Sequence, residues 1–456
     1  MVTVHKFGGG ILRDVQGYQR AARILQSFGP GQVAVLSAAH DVTDQLDQIA
    51  HAHEGKPIED FSRQLLDQHL ALLEPIQNQD IQKQTAQQLV HHVNRLTKIL
   101  YGIHLLGELT PRTLDLVHSF GERLSVEVLH AHVMDTGTNS TVWMADSAGL
   151  RTNSTFGNAT PVFEECNTNL KKNLLPDAKK GVVAFTGYFG QSAEGHVTTL
   201  GRGGSDYSAG IVANALDAEK LWVWKDVDGF MSADPKIVPN ARLISDLSYY
   251  EAEELGYFGA KILHPKTMVP LRQKSIPAEI RNIQTPEKPG TIISVQGRQI
   301  QSVAKSVAVK KDACLVNLKG GALASVSSIA YPLFDQLQLN ELPVDCMASS
   351  QSDLTLCFEK KFLPQFRACI ESVNGRIKEL GVEENVAVLG LVGEGMRKHV
   401  GTSGRLFSRL AQAGVNIRMI SQGASEINIT LVIAQTDVEK ALKAVHTEFI
   451  ERENIV

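Results

Sequence analysis

The chain has 456 residues, 43% of them apolar and 21% charged, with a formal net charge of -4. That length provides for two to four domains with real cores, and no stretch supplies the roughly 20 apolar residues of a membrane span or the charged and apolar leader of a secreted chain. A slightly acidic balance without a dense lysine or arginine cluster excludes a nucleic-acid-binding surface and a membrane-surface helix, so small-molecule partners are expected.

The chain opens on 'VHKFGGGILRD' (Val4–Asp14), where an apolar run meets three glycines before a helical pattern. Glycines between a strand and a helix let backbone amides approach an anion, and Lys6 adds a point charge, although GxxxxGK[ST] is absent. Further apolar runs, 'QVAVLSAA' from Gln32, 'TVWMADS' from Thr141, 'GVVAFTGYFG' from Gly181 and 'KLWVWKDVDG' from Lys220, alternate with helical patterns. They predict an α/β sheet buried on both faces. Between the first two lies a glutamine-rich region in which Leu89, Val93, Leu96, Leu100 and Ile103 form one stripe of a long helix. A second glycine-rich stretch, 'TTLGRGGSDYSAGIVANAL' (Thr198–Leu216), exposes Arg202 among glycines just before an apolar helix. Ser205 or Asp206 can cap that helix, and the guanidinium suits bidentate pairing with a carboxylate or phosphate.

'NIQTPEKPGTII' from Asn282, with Pro286 and Pro289, predicts the exit from the large domain, at a boundary near residue 300. Beyond it 'LFDQL' from Leu333 is echoed by 'LFSRL' from Leu406, and Met347 by Met419, at offsets of 73 and 72 residues. Each copy reads strand, helix, strand, strand, helix, which predicts two small α+β modules. Cys166, Cys314, Cys346, Cys357 and Cys369 lack CxxC or Cys/His ligand spacing, so buried thiols in a reducing compartment, by default the cytoplasm, are expected, without disulfides or a metal cage.

'KFGG', 'LSAAHDVTD', 'SFGERLS', 'TTLGRGGSDYSA', 'WKDVDGFMSADPK' and 'FGAKILHPKT' stand in the order seen in aspartate kinases of the amino-acid kinase superfamily, and the chain resembles that family over nearly its whole length. The resemblance implies a three-layer αβα sandwich over 1–298, followed by two ferredoxin-like ACT domains over 299–380 and 381–456. It implies transfer of the ATP γ-phosphoryl group to the side-chain carboxylate of L-aspartate, with Mg²⁺ bound through ATP. It also implies a homodimer or higher oligomer assembled through the ACT domains, at the head of lysine, threonine and methionine biosynthesis. A carboxylate is ionised at neutral pH and needs no general base, so such an enzyme has to bring two anions together and neutralise them.

The resemblance also distributes roles. Lys6 matches the lysine that stabilises the transferring phosphoryl group, Gly8 and Gly9 (with Gly10) the phosphate-facing glycines, and Asp206 the aspartate that orients lysine and substrate. Ser37, Thr43 and Ser205 match positions of the aspartate site, Glu122 the carboxylate that meets the substrate ammonium, and Arg202 the guanidinium on a substrate carboxylate. Lys225, Asp226, Met231 and Lys236 match the nucleotide loop that receives adenine and ribose, while Lys261 and Ile262 of 'FGAKILHP' match a segment that reaches the phosphates.

The chain departs from the family at three places: Gly10 and Ile11 stand where threonine and serine are usual, so a hydroxyl is missing, Lys225 stands where threonine is commoner, and Met231 where a tyrosine often packs. In the first ACT module 'SSIA' from Ser327 and 'SQS' from Ser350 replace the pattern of lysine-inhibited relatives, while Asp345 is kept. Asp345 and Ser350 are the effector candidates, with lysine or threonine as ligand and dimerisation alone as the alternative role. Another amino-acid kinase, acting on a carboxylate such as acetylglutamate, and a catalytically silent amino-acid sensor remain the competing functions.

Overall fold

The computed structural model describes residues 2–52, 57–258, 262–295, 302–320, 326–351, 353–372 and 377–452. They form two compact units: 1–229, 245–253 and 261–297 make the first, and 230–244, 254–260 and 298–456 the second. The chain thus passes back and forth between the units rather than completing one before starting the other.

In the first unit the strands are Thr3–Phe7 (β1), Gln32–Leu36 (β2), Ser140–Trp143 (β3), Arg151–Thr152 (β4), Val182–Thr186 (β5), Phe189–Ser192 (β6), Val197–Thr199 (β7), Leu221–Lys225 (β8), Asp246–Ser248 (β9), Ala278–Asn282 (β10) and Thr291–Ser294 (β11). The helices are Val15–Phe28 (α1), Val42–Ala50 (α2), Ile58–Ala71 (α3), Gln79–Leu106 (α4), Pro111–Asp135 (α5), Ala145–Ala148 (α6), Phe163–Ala178 (α7), Gly204–Ala215 (α8), Tyr249–Tyr257 (α9, which passes into the second unit at residue 254) and Met268–Gln273 (α10). Eight of the strands form one sheet in the order β3-β5-β2-β1-β8-β10-β11-β9. Its neighbours run parallel except β10 and β11. Every residue of β2 and β5 is buried, as continuous apolar strands covered on both faces must be.

On α4 the predicted stripe is buried at Leu89, Val93, Leu96 and Leu100, and Ile103 packs half-buried against the same core. Asn78 begins this helix by accepting from the amides of Asp80 and Ile81, and Gly107, at φ 63°, ends it.

Register fixes where the chemistry can gather. Phe7 pairs with Leu36 and Trp224, and Leu36 with Thr186, so β1, β2, β5 and β8 end at nearly one level. The loops that follow them therefore share one edge of the sheet, the usual ligand position in an open parallel sheet.

The second unit carries Ser306–Gly320 (β12), Val326–Leu339 (α11), Cys346–Ser349 (β13), Asp353–Glu359 (β14), Leu363–Ser372 (α12), Ile377–Val392 (β15), Thr402–Gln412 (α13), Ile417–Gln422 (β16), Asn428–Ala434 (β17) and Val438–His446 (α14). The repeat is realised as two βαββα copies, whose strands join in one antiparallel sheet of order β13-β14-β12-β15-β17-β16. Two apolar cores result, one around Leu318, Leu333, Leu356 and Phe366, the other around Leu389, Leu406, Leu431 and Leu442. The segment 230–244 contributes Ala233 and Val238 to the latter. No helix among the described residues is long and apolar enough to cross a membrane.

Candidate active site

Lys6 sits on β1 and is only 4% exposed. A buried ammonium requires a partner, and its Nζ lies 2.6 Å from Asp206 Oδ1 in the first turn of α8. Of the three glycines that follow Phe7, two must remain bare, for different reasons. A Cβ at Gly8 would stand 3.0 Å from Lys6 Nζ, and one at Gly9 would meet the Ala38 carbonyl at 2.9 Å. At Gly10 the nearest atom is 3.9 Å away, on the Arg13 side chain, so this position has room for the hydroxyl usual in the family. Asp14 then caps α1 by accepting from the Gly17 amide at 2.8 Å.

Glu122 is carried to the same place by close helix packing. Gly121 lets α5 approach the loop after β2 so tightly that a Cβ there would lie 2.7 Å from Ala38 Cβ. The Ala38 amide donates to Glu122 Oε1 at 3.0 Å, while Oε2 is buried with no hydrogen-bond partner among the described residues. Burial, the largest influence, pushes the Glu122 carboxyl up to about 8, against the pull of that amide and of Arg123 and Lys6. Arg123 itself turns to Asp146, 2.5 Å away.

The loop before α8 is held from below by Asp115, which accepts from the Thr199 amide and hydroxyl and from the Gly157 amide. Neither Ser205 nor Asp206 caps the helix. Gly203, in the left-handed region at φ 72°, takes the N-cap position without a side-chain bond, because the Asp206 carboxylate is engaged by Lys6. Burial would raise the Asp206 carboxyl, but Lys225 and Lys6 hold it below its usual range. Gly203 has no freedom to change: a Cβ would fall 2.2 Å from His264 Cγ, on a backbone that costs L-residues about 1–2 kcal/mol. Gly203→Ala should lower the first thermal transition by roughly 4 °C or more. An unaltered melting curve would show that the loop tolerates the side chain.

A cavity of about 510 Å³ is lined by Lys6, Gly9, Gly10, Ser37, Thr43, Glu122, Arg202, Ser205 and Asp206, all of them candidates from the sequence. Arg202 is exposed and makes no ion pair among the described residues. Gly8 adjoins the cavity through Lys6, and Lys225, at the end of β8, lies 3.9 Å from Asp206 Oδ2. Asp226 is exposed just beyond it. Met231 and Lys236 belong to the second unit, Ile262 is a half-buried turn residue, and Lys261 lies outside the described residues.

Sequence reasoning missed Tyr188, which lines the cavity at φ 71°, and Asp115, which supports it. The glycines around Tyr188 in 'TGYFG' were the available signal for the first. Burial raises the Tyr188 hydroxyl above its ordinary range.

In the second unit Asp345 borders a separate cavity of about 430 Å³ with Glu254, Met347, Ser421 and Asn428. Its Oδ1 is 2.6 Å from Lys310 Nζ and accepts from the Tyr257 hydroxyl at 3.1 Å. Ser350 is elsewhere, hydrogen-bonded to Asp353 at the β13–β14 turn. No group of three or more His, Cys, Asp or Glu side chains among the described residues could hold a metal ion. Asp206 is committed to two ammonium groups, so the donor set fits a Mg²⁺ carried on phosphate oxygens rather than in a carboxylate cage.

Residues 1–282 match the amino acid kinase family and residues 389–449 the ACT domain. Aspartokinase 2, chloroplastic, of Arabidopsis thaliana is 30% identical over 99% of this chain and 85% of its own length. The bifunctional aspartokinase/homoserine dehydrogenase 1, chloroplastic, of the same plant is 32% identical over 98% of this chain, which spans about half (51%) of that relative. The structure of E. coli aspartokinase III in complex with aspartate and ADP superposes with a TM-score of 0.84 at 26% identity, covering 98% of this chain and 99% of that one. Sequence and fold therefore agree along the full length, and the chain belongs to the amino acid kinase family, in its aspartokinase branch.

Proposed function

We propose that this chain transfers the γ-phosphoryl group of ATP to the side-chain carboxylate of L-aspartate, giving 4-phospho-L-aspartate and ADP. The observation that carries this reading is the buried Glu122 Oε2, a carboxyl oxygen without a hydrogen-bond partner among the described residues, in a cleft otherwise supplied with Lys6, Arg202 and glycine amides. A substrate with one ammonium and two carboxylates answers that pattern: its ammonium meets Glu122, its α-carboxylate Arg202, and its side-chain carboxylate faces Lys6. Mg²⁺ arriving with the triphosphate shields phosphate charge. Lys6 is placed to offset charge that develops on the transferring group, and Asp206 fixes its ammonium.

Lysine or threonine is proposed as an effector of the ACT modules, pairs of copies as the working form, and the cytoplasm as its compartment, in keeping with five free thiols. The pathway assigned is synthesis of the aspartate-derived amino acids.

Purified protein with ATP, Mg²⁺ and hydroxylamine should yield an acyl hydroxamate with L-aspartate and none with N-acetylglutamate. Lysine and threonine, titrated separately and together into the same assay, should depress the signal if the ACT modules regulate. Product from N-acetylglutamate alone reassigns the acceptor, and no product from either makes the chain a sensor.

A further inference from the structure

Lys225 raises a question that the nucleoside role implied by resemblance leaves open. Opposite Lys6 in the β1–β8 register stands Val223, and side chains alternate along a strand, so Lys225, two residues on, points to the same face as Lys6. On that face both ammonium groups approach one carboxylate, Lys6 Nζ at 2.6 Å and Lys225 Nζ at 3.9 Å from the two oxygens of Asp206. The three side chains are only 5%, 16% and 10% exposed. Two positive charges on one negative leave an uncompensated cation out of water, an arrangement that costs several kcal/mol unless an anion joins it. Among the described residues Lys225 Nζ makes no hydrogen bond to a side-chain or main-chain oxygen, and its charge is answered only by Asp206, shared with Lys6, and by the exposed Asp226 beside it. A Cβ added at Gly8 would stand 3.0 Å from Lys6 Nζ, which sets the pair beside the glycine loop.

We propose that Lys225 binds the transferring phosphoryl group jointly with Lys6, with Asp206 holding the two ammonium groups apart, and that it does not serve the adenine or ribose. The inference rests on the phosphoryl-transfer reading above. In that step an aspartate side-chain oxygen bonds to the γ-phosphorus as the bond to the β–γ bridging oxygen breaks, and ADP leaves with the electron pair. No proton is gained or lost, so both lysines must stay charged throughout. Burial, the largest influence, lowers Lys225 to about 8, with Asp206 pulling the other way and Lys6 adding to the fall. The titratable groups facing it are Lys6 from β1, Asp206 from α8 and the adjoining Asp226, with His264 acting through Asp206.

The test compares Lys225→Met and Lys225→Arg with the parent protein, by turnover and by calorimetric binding of ATP and AMP. Lys225→Met should lower kcat about 100-fold with little change in KM for aspartate, and should erase most of the preference for ATP over AMP. Lys225→Arg should keep most of both, which excludes misfolding as the cause. In the free protein Lys225 loses its proton near pH 8, so the parent kcat/KM for ATP should fall above that pH, and Lys225→Arg should extend the plateau, because a guanidinium stays charged. An unchanged ATP-over-AMP ratio in Lys225→Met, or an equal loss of both ligands, overturns the inference whatever the acceptor proves to be. Loss of that ratio in a protein that phosphorylates N-acetylglutamate leaves Lys225 in place and removes aspartate instead.

Discussion

Lys6→Ala is expected to reduce kcat by about 1,000-fold while KM for aspartate moves by less than about threefold, since a fixed charge aimed at the transferring group acts mainly in the transition state. The physical basis is that Lys6 is held, not merely present. It is buried, pinned by Asp206 at 2.6 Å, and positioned by β1 pairing on both sides, with Val35 and Val223. Little reorganisation is then needed when charge develops. Steady-state kinetics with aspartate and ATP varied separately decide the matter. A variant with normal turnover and a raised KM would falsify the transition-state role and leave Lys6 as a binding group. Asp206→Asn should reproduce part of the loss, because the amide no longer neutralises the two ammonium groups and their mutual repulsion displaces Lys6.

The second large effect belongs to Glu122. In the empty cleft its carboxyl, raised to about 8 by burial, is mostly protonated at neutral pH. A substrate ammonium at Oε2 favours the ionised form, so aspartate binding should expel a proton. The sign follows: the competing proton is lost as pH rises from 7 towards 8, and KM for aspartate should fall over that interval. This trend is separable from the Lys225 effect, which acts on kcat/KM for ATP and in the opposite direction. Glu122→Gln should raise KM for aspartate about 10–100-fold, corresponding to loss of a charged hydrogen bond of roughly 1.5–3 kcal/mol, and should flatten its pH dependence. Calorimetry in two buffers of different ionisation enthalpy measures the released proton directly. Equal heats in both buffers would place the ammonium elsewhere.

The cleft was legible wherever its residues lie on chain segments whose local chemistry is abnormal. Three glycines after a strand, or an arginine between glycines, are costly or useless in ordinary turns, so Lys6, Gly9 and Arg202 stand out locally, whereas Asp206 reads locally as a helix cap and its place beside Lys6 came only from the resemblance. Glu122 was found only through resemblance, because a glutamate on a helix is usually solvated, and its burial depends on Gly121 fitting against Ala38 two elements away. Asp115 and the Ala38 amide stayed invisible for the same reason: their significance lies in tertiary hydrogen bonds that span 84 residues of sequence. Periodicity located the α4 stripe and the βαββα repeat well, since each depends on short-range pattern alone. The cap of α8 went differently because a tertiary ion pair outcompeted the local bond that Asp206 could have made.

The segment 230–244 leaves the first unit immediately after the β8 loop, buries Ala233 and Val238 in a core of the second unit and then returns to begin β9. A cut at the final crossover therefore does not separate the two portions cleanly in this chain. A gene fission or recombination breakpoint placed at the final crossover would strand apolar side chains of this excursion in solvent, so shuffling of such kinases with foreign regulatory tails has to preserve the excursion along with the tail.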